Sequence, residues 1–233
     1  MPTRQWDGLT LDTNAHAACS VIKGLAFKDA IDLTLASGKK YGEGFSGFVP
    51  LAKAQGISRD ELIRKMNQKY HEIMFKKVQK HFPDTLSVPK GTVAAFNKLG
   101  PGTKHALLTH SCSKYWTEPT LAKMGLSYVF NKKAILDFEE IGFVHKNSSA
   151  EPVRKALMLL GERARDTIFV EDDPKNIAVA KKRYPRLTTV LISKTATVAP
   201  DSVDLVVKDP YELLQLLLSV QGPSKKVKPI PIP

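Results

Sequence analysis

A doubly wound parallel α/β sheet with a small all-helical domain inserted near its N-terminus is the architecture that this 233-residue chain predicts. Three observations carry that expectation. Residues 15–82 read as helices without strands, residues 83–221 alternate strand and helix, and the apolar run Thr167-Ile168-Phe169-Val170 stops abruptly at Glu171-Asp172-Asp173. Strands that alternate with helices point to a parallel sheet covered on both faces. A strand that ends in polar residues points to the crevice beyond the carboxyl ends of such a sheet, where ligands bind.

In the helical block, apolar residues recurring at three and four predict helices over 15–26, 28–37, 45–55 and 59–81. Gly56-Ile57-Ser58 separates the last two, with Ser58 placed to cap the final one. Beyond Pro83, residues 91–99 read as a helix ending at the turn Gly100-Pro101-Gly102. Strands are expected over 105–109, 168–170, 188–192 and 205–207, and helices over 115–124, 150–160, 176–182 and 211–220. From Gly222 the chain is rich in Pro and Lys and is expected to be a disordered tail. The expected domains are therefore a core of residues 1–14 and 83–221, a helical cap of residues 15–82, and a tail of residues 222–233. A cap over the C-terminal edge of a sheet excludes water from chemistry beneath it.

Composition narrows the function classes. Hydrophobic residues at 42% and charged residues at 25% are ordinary for a soluble globular protein, and the length suffices for a sizeable core. Cys19 and Cys112 lie too far apart in sequence for a zinc knuckle and suggest no disulfide framework, which fits a reducing cytoplasm. The longest apolar patch, residues 213–220, is too short to span a bilayer, so no membrane partner is expected. The net charge is +12, but the lysines and arginines are scattered. Such a field attracts small phosphorylated substrates as readily as polyanions. No aromatic RNA-binding signature or helix-turn-helix pattern accompanies the charges, so nucleic acid is not the expected partner. A basic nucleic-acid-binding protein remains an alternative, marked by steep salt dependence. The six histidines show no metal-ligand spacing, which argues against zinc. Oligomeric state is not legible.

The acids after Val170 admit two readings. Three crowded carboxylates repel one another unless a cation neutralises them, and hard oxygen donors suit Mg²⁺. Alternatively, they cap a helix beginning near Pro174, because acids and proline are favoured at such a start.

Phe169-Val170-Glu171-Asp172-Asp173 followed by Asn176, together with His105-Ala106-Leu107-Leu108-Thr109-His110-Ser111, resembles the fourth and second motifs of the haloacid dehalogenase superfamily. Within it the chain is similar to pyrimidine 5′-nucleotidase-like phosphatases, which carry a helical cap on a Rossmann-like core. The resemblance implies a Mg²⁺ cofactor held by Asp172, Glu171 and Asp173. It implies that Thr109 donates a hydrogen bond to a phosphoryl oxygen, with His110 and Ser111 beside it as substrate-binding residues. It makes Lys146 the third-motif lysine that neutralises nucleophile and phosphate, with Lys155 as the alternative. The family commonly follows that lysine with Pro, whereas Asn147-Ser148-Ser149 stands here.

The first motif departs from the family pattern. Gln5-Trp6-Asp7-Gly8-Leu9-Thr10-Leu11-Asp12-Thr13 aligns with it without gaps, but that register puts Gln5 at the nucleophile and Asp7 at the general acid and base. A neutral amide does not readily form an acyl phosphate. Asp12 after Leu9-Thr10-Leu11, or Asp7 after Trp6, restores an aspartate nucleophile; Asp12 equally reads as the cap of the helix from Ala15. The resemblance therefore implies a Mg²⁺-dependent hydrolase of a small phosphorylated metabolite, with nucleoside monophosphates among the candidates, acting through a phosphoaspartyl intermediate. A catalytically impaired member that binds a phosphorylated ligand or partner is one alternative. A dehalogenase is another, disfavoured because that reaction has no metal for the acids to hold.

Overall fold

Strand and helix alternate from residue 107 to residue 192, as the apolar spacing predicts, and a further strand and helix follow. The computed structural model of the protein describes residues 52–81, 86–99, 102–130, 132–196 and 198–220. The helices expected over 15–26 and 28–37, most of that over 45–55, and the tail of residues 222–233 lie outside the described residues, as do Gln5, Asp7 and Asp12.

Helix α1, Arg59–His81, begins where expected. The Ser58 hydroxyl accepts from the Glu61 N–H at 3.1 Å, satisfying one of the donors that a helix start leaves unpaired. The short helix α2, Thr92–Lys98, follows Gly91, whose φ is 92°. A Cβ there would come within 2.9 Å of the Tyr211 ring, so glycine is what lets α2 close on the C-terminal helix.

Among the described residues the strands are all parallel. Strand β1, Leu107–Leu108, pairs with β2, Ile135–Leu136. Strand β1 is shorter than the expected 105–109, because its partner β2 offers only Ile135 and Leu136 to pair with; His105 lies outside the ladder and packs edge-on against Phe96 and Phe130. Strand β2 was not expected at all: two apolar residues after Lys132-Lys133 carry no period. Between these strands a wide turn, Ser113–Thr117, leads into helix α3, Glu118–Met124. A second sheet places β3, Ile168–Glu171, beside β4, Thr188–Ile192, and then β5, Leu205–Val207. Helices α4, Glu151–Leu160, α5, Pro174–Arg183, and α6, Pro210–Val220, complete the alternation.

Helices α4 and α5 lie on one side, where Val153, Leu157, Ala180 and Leu187 pack with Leu108 of β1 and Phe169 of β3. One apolar cluster thus touches both sheets and sets their strand ends side by side. On the other side, Leu213 of α6 packs on Val190 and Val207. That cover stops short of β3, where Ile168 and Val170 remain 40% and 38% exposed. Among the described residues, α6 packs on β4 and β5 and leaves Ile168 and Val170 outside its cluster.

Helix α1 crosses the loops that follow β1 and β2. His71 and Phe75 stack edge-on against Trp116 at 6.0 and 6.3 Å, and Arg64 pairs with Glu139 at 3.0 Å. These aromatics form packing contacts between helix and loop.

Candidate active site

Parallel pairing sets the C-terminal ends of β1 and β2 side by side, and Lys146, bonded to both His110 and Glu171, joins them to the end of β3; the ends of β1 and β3 carry residues singled out by the sequence. At the end of β1, the Thr109 N–H donates to the Leu136 carbonyl at 3.0 Å, prolonging the ladder by one residue. Its hydroxyl oxygen accepts from the Ser111 N–H at 3.1 Å. A hydroxyl carries one donor and two acceptor positions, so this turn leaves the Thr109 O–H free to donate elsewhere.

At the end of β2 stands Asp137, which the sequence reading missed. Its carboxylate accepts from the backbone N–H of Ser113 at 3.0 Å and from those of Glu139 and Glu140 at 3.0 and 3.1 Å. One side chain thereby ties the loop after β1 to the loop after β2. The available signal was an acid following two apolar residues, the same signature as at Glu171, on a shorter run.

Lys146 reaches the end of β3. Its ammonium forms an ion pair with Glu171, and the two side chains are only 10% and 6% exposed. The Lys146 backbone N–H donates to Nε2 of His110 at 3.1 Å, binding it to the loop after β1 as well. Lys155 goes elsewhere: its ammonium donates to the Glu140 carbonyl at 2.8 Å.

The three acids relieve their crowding in different ways. Burial pushes the Glu171 carboxyl above its ordinary range, helped by a hydrogen bond with Asp172 and opposed by the Lys146 charge. Asp172 is held below its ordinary range, chiefly by that same hydrogen bond, and its side chain lies in solvent. Asp173 turns away: Oδ1 accepts from the Lys175 N–H at 2.9 Å as the N-cap of α5. The helix-capping reading thus describes Asp173, while Glu171 and Asp172 face Lys146. Among the described residues, no group of three or more His, Cys, Asp or Glu side chains converges to hold a metal ion. For Asp173→Ala we expect a loss of about 1 kcal/mol from the missing cap, read as a lowered midpoint in urea unfolding.

Residues 49–190 match the family model described as haloacid dehalogenase-like hydrolase. That span contains Thr109, Lys146 and the acids after β3, and excludes Asp7 and Asp12. Among solved structures the chain is similar to a HAD phosphatase from Thermococcus onnurineus, at 15% identity over 90% of this chain and 88% of that one, with a TM-score of 0.48. No curated protein matches the chain.

Proposed function

Because the chain belongs to the haloacid dehalogenase-like hydrolase family, we propose that it hydrolyses phosphomonoesters of small metabolites at the edge formed by Thr109, Lys146, Glu171 and Asp172. The observation that carries this reading is the Lys146 arm. A buried ammonium held at the carboxyl ends of parallel strands, beside an exposed carboxylate and a free hydroxyl donor, is suited to a phosphate group and little else in such a fold.

The donor set fits Mg²⁺ in part. Glu171 and Asp172 offer hard oxygens at neighbouring positions, where a dication would relieve both carboxylates. Asp172 would be the direct ligand, with Glu171 behind it, while Asp173 accepts from the Lys175 N–H through Oδ1 and keeps its second oxygen for the ion. Bound there, Mg²⁺ would supply charge neutralisation for the phosphoryl oxygens. Lys146 would add positive charge to the same oxygens, and Thr109 would donate its O–H to one of them. Asp7 or Asp12 would supply the nucleophile and the phosphoaspartyl intermediate. Residues 15–82 would serve as a cap over a core of 1–14 and 83–221, a reading supported by the contacts of α1 with the loops after β1 and β2. The described residues contain no helix long and apolar enough to cross a membrane, and Cys112 is a buried free thiol. Both are compatible with the proposed cytoplasmic setting.

Para-nitrophenyl phosphate and a panel of nucleoside monophosphates, assayed across a Mg²⁺ titration, test the proposal. Wild-type turnover should require Mg²⁺, and Asp172→Asn should lower it about a hundredfold or more, as loss of metal-site support typically does. Turnover equal in D172N and wild type, or indifferent to EDTA, would overturn it.

A further inference from the structure

We infer that His110 is a positioning residue, which accepts the Lys146 backbone N–H at Nε2 and so fixes the peptide from which the Lys146 ammonium reaches Glu171. The inference rests on the phosphomonoesterase reading for its kinetic consequence, but its geometry stands independently. The bond spans 36 residues of chain and is 3.1 Å long. It is the link by which the loop after β1 holds the residue that neutralises charge at the end of β3.

The imidazole is built into this role. Its ring packs against Phe138 at 5.3 Å and His145 at 5.0 Å, both edge-on, and Phe138 packs in turn against Phe143 at 5.5 Å. Gly142 and Phe143 both have positive φ, 75° and 57°. For a bulky residue such as Phe143 that conformation persists only where the surroundings enforce it. Here the Phe143 N–H donates to the Phe138 carbonyl at 2.8 Å, and the tight loop it closes leads straight to His145 and Lys146. The rings leave His110 little freedom to swing.

Accepting at Nε2 demands an imidazole without a proton there, hence a neutral ring protonated at Nδ1. Burial, then the Lys146 charge, then His145 push the His110 pKa down to about 4, so the acceptor persists across the working range. Nε2 is thereby occupied and is not offered to a substrate. This differs from the substrate contact that the motif resemblance implies for His110. A lysine side chain has four rotatable bonds, so anchoring its backbone decides where its charge arrives. Misplacing such a group by about 1 Å can cost on the order of a hundredfold in rate.

Two substitutions test it. Removing the acceptor in His110→Ala should lower kcat by about 10- to 100-fold with KM within about twofold, as expected for misplacement rather than lost binding. In His110→Gln the side-chain oxygen reaches about as far as Nε2, and kcat should return to within about threefold of wild type. Amide exchange of Lys146, followed by NMR, supplies a readout free of catalysis: protected in wild type and H110Q, fast in H110A. Should H110A not fold, His110→Asn, one bond shorter than H110Q, takes its place with the same expected losses. A raised KM with unchanged kcat, an H110Q as impaired as H110A, or a Lys146 amide exchanging equally in wild type and H110A would overturn the inference. If wild type turns over no phosphomonoester, the hydrolase reading fails, while the exchange arm still decides whether His110 holds Lys146.

Discussion

Lys146→Met is expected to destabilise the fold by about 3–5 kcal/mol and to lower turnover about a thousandfold. The stability loss follows from burial. Glu171 and Lys146 are 6% and 10% exposed, so removing the ammonium strands a carboxyl where water does little to solvate it. Replacing both partners by apolar groups removes that stranded charge. The double variant K146M/E171L should therefore recover most of the stability lost in K146M while remaining without turnover. Urea unfolding of the two single variants and the double variant gives the coupling energy directly. A K146M protein as stable as wild type would show that the ion pair does not hold the site together.

The pH dependence of that loss has a definite sign. Glu171 has a folded-state pKa above its ordinary 4.5, so the folded state holds more protons than the unfolded one in the window above 4.5. Stability from this group is present below that window and falls as pH rises through the folded value. Lys146 is what opposes the rise, so in K146M the window extends further upward. The penalty of K146M should be larger at pH 8 than at pH 5. Asp172 runs the other way, being held below its ordinary 3.8, and loses its contribution only as pH falls beneath that value. Measurements at pH 5 and pH 8 in EDTA leave Asp172 out, and repeating them in an H110Q background removes the His110 titration that Lys146 also shifts. An equal penalty at both would exclude a stranded carboxyl as the cause.

What the sequence made legible at this site was local in origin. An apolar run of strand length that stops at acids places Glu171 and Asp172 at the end of β3, because polarity changes over two residues. The same logic found Thr109, and Ser58 as a cap. Lys146 came from the order of the motifs that the chain resembles, and its ammonium pairs with Glu171. What stayed hidden depends on contacts distant in the chain. No spacing rule joins Lys146 to His110 or Asp137 to Ser113, since each bond exists only after β1, β2 and β3 are aligned. Strand β2 is too short to show a period, and the openness of β3 depends on where α6 stops. The choice between cap and metal ligand for Asp173 was equally undecidable from composition, because the same carboxylate suits either.

The N-terminal acids carry the second large expected effect. A phosphoaspartyl mechanism needs one ionised aspartate that attacks phosphorus, and loss of a nucleophile typically lowers turnover by on the order of 10⁴-fold or more. One of Asp7→Asn and Asp12→Asn should therefore silence the enzyme, and only that one should abolish the phosphoenzyme trapped with hydroxylamine after a radiolabelled substrate. The other has a small expected loss, as for Asp12 if it only caps a helix. Gln5→Asp separates the remaining possibility. In the gapless alignment Gln5 occupies the nucleophile position, so wild type would turn over little, Q5D would gain activity, and Asp7→Asn would cancel that gain by removing the proton donor to the leaving group. The three registers thus give three different patterns across one panel. If D7N, D12N and Q5D all leave turnover at the wild-type level, no N-terminal acid takes part, and the phosphoaspartyl mechanism fails even if Lys146 and Asp172 prove essential.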